Sequence, residues 1–178
     1  MAKLKKAVAN RRLERPYTRY SKYKNKAFVR TIPNLKVVRF DMGNLTKEFG
    51  YQIDLLSKAG IQIRQESIEA ARQVAVRHLE RQVGKQNFHF KIRIFPFHVL
   101  RENPLAQGAG ADRFSTGMAH PFGKSIGRAA RVERMQPLMT VYTDKAYLKP
   151  VSTALQKAKY KIACRCQITV DELKSPIN

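Results

Sequence analysis

The sequence predicts an α+β fold in which helices cover one side of a mainly antiparallel sheet. Segments with alternating apolar and polar residues follow one another directly along the chain. Two other segments show helical periodicity. These helices do not alternate regularly with the strands, whereas a parallel sheet would require such alternation. A basic N-terminal arm precedes this body, and a long glycine-rich loop interrupts it.

The first half of the chain contains two strand candidates and one helix. Residues Lys36 to Asp41 read KVVRFD and end at a Met-Gly-Asn turn, and residues Tyr51 to Ser57 form the second candidate. From Gln65 to Val83 apolar residues recur in steps of three and four, which is typical of one helix face. Gly84 is a natural helix stop, whereas no Ser or Asp caps the start.

The segment from Phe88 to Leu100 is the clearest strand of the sequence. Its aromatic and aliphatic residues alternate with His89, Lys91 and Arg93, so one sheet face is predicted to be core and the other basic. Pro96 lacks the N–H that a ladder needs and indicates an edge position, a bulge or the end of the strand.

Beyond the glycine-rich loop the sequence predicts two strands, a helix and a final strand. The strands are Ala129–Glu133 and Leu138–Thr143, and the last is Gln167–Val170. The helix runs from Pro150 to Lys161. Its predicted inner face consists of Val151, Ala154, Leu155 and Ala158.

Charge is the strongest compositional signal. The chain has 35 Lys and Arg against 13 Asp and Glu, a formal net charge of +22. Such an imbalance disfavours a compact free monomer through self-repulsion, and a polyanion would neutralise it. Nucleic acid is the favoured partner. A membrane surface is the alternative, but the first helix carries glutamates among its polar residues, and no run of about 18 apolar residues is present.

The first 33 residues form the basic arm. They contain eleven Lys and Arg and one acid, Glu14. From Arg15 to Arg30 the charges alternate with aromatic rings, a mixture that suits an extended segment contacting phosphates and stacking on unpaired bases. The residues predicted to bind RNA are Arg11, Arg12, Arg15, Tyr17, Arg19, Tyr20, Lys22, Tyr23, Lys24 and Arg30 in the arm, Lys91 and Arg93 on the sheet, and Arg113, Lys124 and Arg128 in the loop.

Residues 101–128 hold five glycines and are predicted to form a loop that becomes ordered against a partner. The predicted organisation is an arm at 1–33, one α+β domain at 34–170 that includes this loop, and a C-terminal tail at 171–178. Glycines at these positions allow close approach of the backbone to RNA.

Enzymatic functions fit the sequence poorly. The Gly108-x-Gly110-x-x-Arg113 pattern lacks the third glycine and the following helix of a dinucleotide site. A hydrolytic metal site needs clustered ligands, whereas the glycine-rich loop offers two acids ten residues apart. Cys164 and Cys166 supply two thiols, which fit a reducing cytosol better than a disulfide or zinc site. We therefore expect no catalytic residues, no cofactor and no metal.

Several blocks of residues resemble one known family. In chain order these are Arg15-Pro16-Tyr17, Tyr23-Lys24-Asn25-Lys26, Ile32-Pro33, Phe40-Asp41-Met42-Gly43-Asn44, Glu69-Ala70-Ala71-Arg72, Pro96-Phe97-His98-Val99, Ala109-Gly110-Ala111-Asp112-Arg113, Thr116-Gly117-Met118, Phe122-Gly123-Lys124 and Ala130-Arg131-Val132. Together they resemble the universal large-subunit ribosomal protein family L sixteen, in its archaeal and eukaryotic form, called L ten-e. The sequence departs from that family at Ala119, where an arginine is usual.

The resemblance implies a sandwich-like body and a structural, non-enzymatic protein of the large ribosomal subunit in the cytoplasm. It implies binding to 23S-type rRNA near the central protuberance, with 5S rRNA and other large-subunit proteins as neighbours, and a part in late subunit assembly. It also implies that the loop points towards tRNA at the peptidyl-transferase region. The loop residues concerned are Gly108, Ala109, Gly110, Ala111, Asp112 and Arg113. No membrane and no small-molecule substrate are implied.

Overall fold

The computed structural model describes residues 21–27, 29, 31–102 and 124–173. Eight strands occur in this part of the chain: β1 (Asp41–Gly43), β2 (Tyr51–Ser57), β3 (Ile61–Arg64), β4 (Phe88–Ile92), β5 (His98–Glu102), β6 (Lys124–Val132), β7 (Pro137–Thr143) and β8 (Cys166–Glu172). Two α-helices accompany them, α1 (Gln65–Gln82) and α2 (Leu148–Lys159). Short 3-10 turns lie at Lys24–Lys26, Lys85–Asn87 and Lys145–Tyr147.

The strands form two antiparallel sheets. The larger sheet has the order β1-β4-β7-β2-β8, and the smaller has the order β3-β6-β5. In the larger sheet Phe90 pairs with Val141, which in turn pairs with Ile53, so these three side chains point to the same face. All three are fully buried. The predicted α+β class with a mainly antiparallel sheet is confirmed.

The two helices pack against each other. Their apolar faces share one core with Ile53, Phe90 and Val141 of the larger sheet. Val151, Ala154, Leu155 and Ala158 of α2 are fully buried, which confirms the inner face predicted from the sequence. The opposite sheet face carries Gln52, His89 and Tyr142, which are partly exposed. The helices therefore cover one side of the larger sheet and leave the other side polar.

The ends of α1 follow the local sequence. Arg64 at the N-cap makes no side-chain capping bond, as the lack of a Ser or Asp suggested. At the other end the chain leaves the helix through Gly84, which has φ of +82°. Residues other than glycine adopt such a conformation at a cost, so Gly84 ends the helix as predicted.

Two strand predictions in the first half of the chain are wrong in their bounds. Residues 36–40 are not strand, and β1 begins at Asp41. The predicted strand Phe88–Leu100 is two strands in different sheets, since β4 ends at Ile92 and β5 begins at His98. Between them the Phe97 N–H donates to the Phe95 carbonyl at 3.0 Å, a tight turn centred on Pro96. The proline thus marks a strand exit, one of the roles predicted for it.

Other elements are longer than predicted or were missed. β6 starts at Lys124, so residues 124–128 are strand rather than loop, as are residues 101 and 102 of β5. α2 begins at Leu148 and ends at Lys159, two residues earlier at each end than predicted. β8 extends to Glu172, into the predicted tail. β3 was missed because its four residues run directly into α1 without a turn signal.

Candidate nucleic-acid interface

The polar face of β4 carries the predicted basic side chains, together with an acid that the sequence analysis did not include. Phe88, Phe90 and Ile92 are buried, and the residues between them are partly exposed, so the predicted alternation is confirmed. Asp41 of β1 pairs with Lys91. Its Oδ1 lies 3.1 Å from Nε2 of His89 and 3.9 Å from Nζ of Lys91. This carboxylate offsets part of the positive charge on the sheet.

Aromatic rings lie beside these charges. The rings of His89 and Tyr142 stack with centroids 5.4 Å apart. They line a concavity of about 730 Å³ that also includes Phe49 and Tyr51. Tyr51 donates its hydroxyl hydrogen to Glu172 at 2.9 Å, and this hydrogen bond raises the pKa of the phenol. The concavity therefore offers rings beside Lys91, which suit stacking on bases, and it is also lined by the carboxylates of Glu48 and Glu172.

The described end of the arm is exposed. Tyr23 is 61% exposed, and the ammonium group of Lys26 lies 5.3 Å from the centre of its ring. Lys22 is exposed beside it. The backbone N–H of Lys26 donates to the Tyr23 carbonyl at 3.0 Å and closes a 3-10 turn. The arm is therefore turned rather than extended at Lys24–Lys26.

Two side chains fix the point where the arm joins the body. Arg128 of β6 donates from Nε to the Pro33 carbonyl at 2.7 Å. The amide of Gln65, at the start of α1, accepts from the Lys36 N–H at 3.1 Å and donates to the Asn34 carbonyl at 3.3 Å. Gln65 is 1% exposed, whereas Asn34 and Lys36 lie at the surface, so both bonds are partly buried. Arg128, predicted to anchor the loop on RNA, has its Nε committed to the arm.

This junction lies close to the base of the glycine-rich segment. Arg128 is four residues from Lys124, where β6 begins, and a strand rises about 3.4 Å per residue. The arm therefore joins the body roughly 13 Å along β6 from the end of the loop. Lys124 itself is exposed. Sequence reasoning missed the part played by Gln65, although a polar residue at the buried start of a helix is a usable signal.

The remaining predicted site residues lie outside the described part of the chain. They are Arg11, Arg12, Arg15, Tyr17, Arg19, Tyr20, Arg30, Gly108, Ala109, Gly110, Ala111, Asp112 and Arg113, together with the side chain of Lys24. Lys91 and Arg93, by contrast, are described and reach the surface on the β4 side. The structure thus brings together part of the predicted sheet surface and, separately, the arm junction with Arg128.

The two cysteines lie next to each other at the start of β8. Their sulfur atoms are 3.6 Å apart, and Sγ of Cys164 is 3.4 Å from Oγ of Ser57. The hydrogen bond with Cys166 lowers the pKa of Cys164 to about 6, while burial opposes this shift. Across residues 21–102 and 124–173, as far as they are described, no three His, Cys, Asp or Glu side chains are grouped to hold a metal ion. The same residues contain no helix long and apolar enough to cross a membrane.

A strongly basic α+β body with rings and cations on one sheet face is typical of a nucleic-acid-binding protein. Comparison with known proteins identifies the family. The family model for ribosomal protein L16p/L10e matches residues 15–169, and the chain belongs to this family. RNA binding and a part in translation follow from that membership.

Archaeal relatives cover most of the chain. It is 44% identical over 151 residues to the large ribosomal subunit protein uL16 of Methanosphaerula palustris, covering 85% of this chain and 87% of the relative. It is 41% identical over 162 residues to the protein of the same name from Archaeoglobus fulgidus, covering 91% and 90%. The relatives are named as ribosomal proteins, so the chain is a structural, non-enzymatic component of the ribosome, of the archaeal type.

Proposed function

We propose that this protein binds 23S-type rRNA near the central protuberance of the large subunit and carries its glycine-rich loop towards tRNA. The observation that carries the proposal is the junction at Arg128 and Gln65, which holds the basic arm beside the base of the loop. An arm fixed on rRNA would thereby orient the loop, because β6 carries Arg128 and begins at Lys124, where the loop segment ends.

The arm and the sheet face would supply the rRNA contacts. Lys22 and Tyr23 are exposed, and the predicted arginines before them would add bidentate phosphate contacts. Lys91 and Arg93 would extend the contact along the polar sheet face, with neighbouring rings available for stacking. Arg113, Lys124 and Arg128 belong to the proposed loop surface, although the Nε hydrogen bond of Arg128 supports a positioning role first.

Affinity measured against salt concentration tests the rRNA contact. The slope of log K against log salt is about −0.7 per neutralised phosphate for single strands, so many contacts give a steep fall. The Lys22→Gln variant, which removes one phosphate contact, should reduce the slope by about 0.7. The Tyr23→Ala variant should weaken binding at every salt concentration and leave the slope unchanged, because stacking releases no counterions.

Lys58→Gln is the matched control, since Lys58 is an exposed lysine in the turn between β2 and β3. A flat salt response of the unaltered protein would contradict the proposal. So would an effect of Lys58→Gln as large as that of Lys22→Gln, because the charge would then act without regard to position.

Placement of the loop and a part in assembly need the intact subunit. A photoreactive amino acid at Ala109 of the full chain should cross-link to tRNA on assembled ribosomes, and one at Lys58 should not. Cross-links from Ala109 to rRNA without any to tRNA would contradict the tRNA placement. The protein should also stay with large subunits through a high-salt wash, and precursor subunits should accumulate when it is depleted.

A further inference from the structure

A basic concavity lies between the two helices, on the side of the molecule away from the polar sheet face. It has a volume of about 280 Å³. Its lining residues are Gln73, Val74, Arg77, His78 and Arg81 of α1 and Lys157 of α2. No carboxylate is among them, and none of the residues proposed above for the rRNA contact belongs to it.

Each acid of α1 is paired with a basic residue, and none lines the concavity, although Glu69 accepts a hydrogen bond from the lining residue Gln73 at 2.8 Å. Glu69 pairs with Arg72 at 2.5 Å, and that bond lowers the pKa of Glu69. Glu66 pairs with Lys36 at 3.0 Å, and Glu80 lies 3.7 Å from Lys85. A charged group without an opposite partner attracts a counterion. Cations on this side of α1 that have no carboxylate partner would therefore attract an anion.

Those cations are Arg77, Arg81 and Lys157. Within the described part of the chain, none of the three forms an ion pair with a carboxylate. Arg77, Arg81 and Lys157 are all exposed. Two guanidinium groups and an ammonium around one concavity match the oxygens of a phosphate, which arginine can contact in a bidentate way.

His78 adds a titratable group whose protonation would depend on an anion bound in the concavity. Nζ of Lys157 lies 3.0 Å from Nδ1 of His78, and because an ammonium can only donate, the imidazole nitrogen accepts. Partial burial, and then the charge of Lys157, lower the pKa of His78. The neutral ring orients Lys157 while the concavity is empty. An anion placed there would favour the protonated ring and turn a further donor towards itself.

We propose that this concavity binds a backbone phosphate of folded RNA. The proposal rests on the proposed function, since it assigns a second RNA surface to the same protein. A helix layer and a sheet together are roughly 20 Å thick. The protein would then lie between two RNA segments, with one on the sheet face and one on the helices, and would fix their separation.

Binding of a 23S-type rRNA transcript to the full chain tests this assignment. The double variant R77Q/R81Q should bind about tenfold more weakly at physiological salt, with a salt slope reduced by one to two. The matched control R134Q removes an exposed arginine in the turn between β6 and β7. R134Q should bind like the unaltered protein.

The two proposals fail in different ways. If the unaltered protein shows steep salt dependence but R77Q/R81Q matches R134Q, the helical site is wrong and the arm and sheet contacts stand. If the unaltered protein shows no salt dependence, both proposals are wrong.

Acetylation of lysines followed by mass spectrometry provides a test without substitution. The transcript should protect Lys157 and leave Lys58 reactive in the unaltered protein. Protection of Lys157 by polyglutamate but not by the transcript would assign the concavity to an acidic protein segment and overturn the proposal. The pKa of His78, followed by NMR, should rise when the transcript is bound, and an unchanged pKa would also count against it.

Discussion

At the scale of single residues, several side chains have roles that their residue type does not reveal. Arg128 has the charge expected of an RNA contact, but its Nε holds the Pro33 carbonyl. Asp41 offsets part of the positive charge on the polar face of β4. The sequence correctly predicted that buried apolar residues alternate with polar and basic residues along β4. It could not show which charges would meet, because Asp41 and His89 are far apart in the chain and become neighbours through strand pairing.

The thiol pair supports a prediction about pH. Because the hydrogen bond with Cys166 lowers the pKa of Cys164 to about 6, alkylation of Cys164 by iodoacetamide should rise with a midpoint near that pH. The same pairing raises the pKa of Cys166, which should react slowly at neutral pH. Cys166→Ala removes the partner and should move the midpoint of Cys164 towards about 8.5. A midpoint near 8.5 in the unaltered protein would contradict the prediction.

Gly43 and Gly84 make a matched pair for stability. Both have positive φ, +94° and +82°. A Cβ on Gly43 would lie 2.1 Å from the Phe88 carbonyl oxygen, whereas one on Gly84 would meet nothing within 4 Å. Gly84→Ala should cost roughly 1–2 kcal/mol through backbone strain, and Gly43→Ala at least about 2 kcal/mol more through the added clash. If both variants lost the same free energy of unfolding in urea, the clash with the Phe88 carbonyl would add nothing to the cost, and the prediction would be wrong.

At the scale of elements, periodicity was the reliable signal. The inner face of α2 was predicted residue by residue because four apolar positions recur at helical spacing. The ends of strands are harder to predict from the sequence. Val37 is buried and Val38 is 78% exposed, as in a strand, but Arg39 is exposed too, so the alternation stops there. The Lys36 N–H bonds to the side chain of Gln65 instead of a neighbouring strand. Alternation reports burial, and ladder partners come from the rest of the chain.

The attachment of the arm to α1 and β6 can be tested through Gln65. Gln65→Leu keeps the apolar volume but leaves the Lys36 N–H and the Asn34 carbonyl without their partner. The loss should be about 1–3 kcal/mol in the free energy of unfolding. Gln82→Leu, at the exposed end of the same helix, should change it by less than about 0.5 kcal/mol. A neutral Gln65→Leu would mean that this junction is not held by the amide.

At the scale of the whole molecule, net charge dominates. A formal +22 on one small body is self-repelling, and screening relieves repulsion. The thermal unfolding midpoint of the free protein should therefore rise with sodium chloride, over the range in which rRNA affinity falls. Sodium sulfate at equal ionic strength separates screening from specific anion binding. A midpoint that falls as salt is added would contradict the dominance of charge repulsion.

The strand order of the larger sheet also governs when this protein can finish folding. β2 lies between β7 and β8, and the bonded pair Tyr51 and Glu172 are 121 positions apart. A growing chain that has not yet released β8 from the exit tunnel keeps one edge of β2 open, with its N–H and C=O groups unpaired. Closure of the sheet therefore waits for β8, the last of the eight strands in chain order. The arm precedes all of these strands, so the proposed contact between the arm and RNA can form before the sheet is complete.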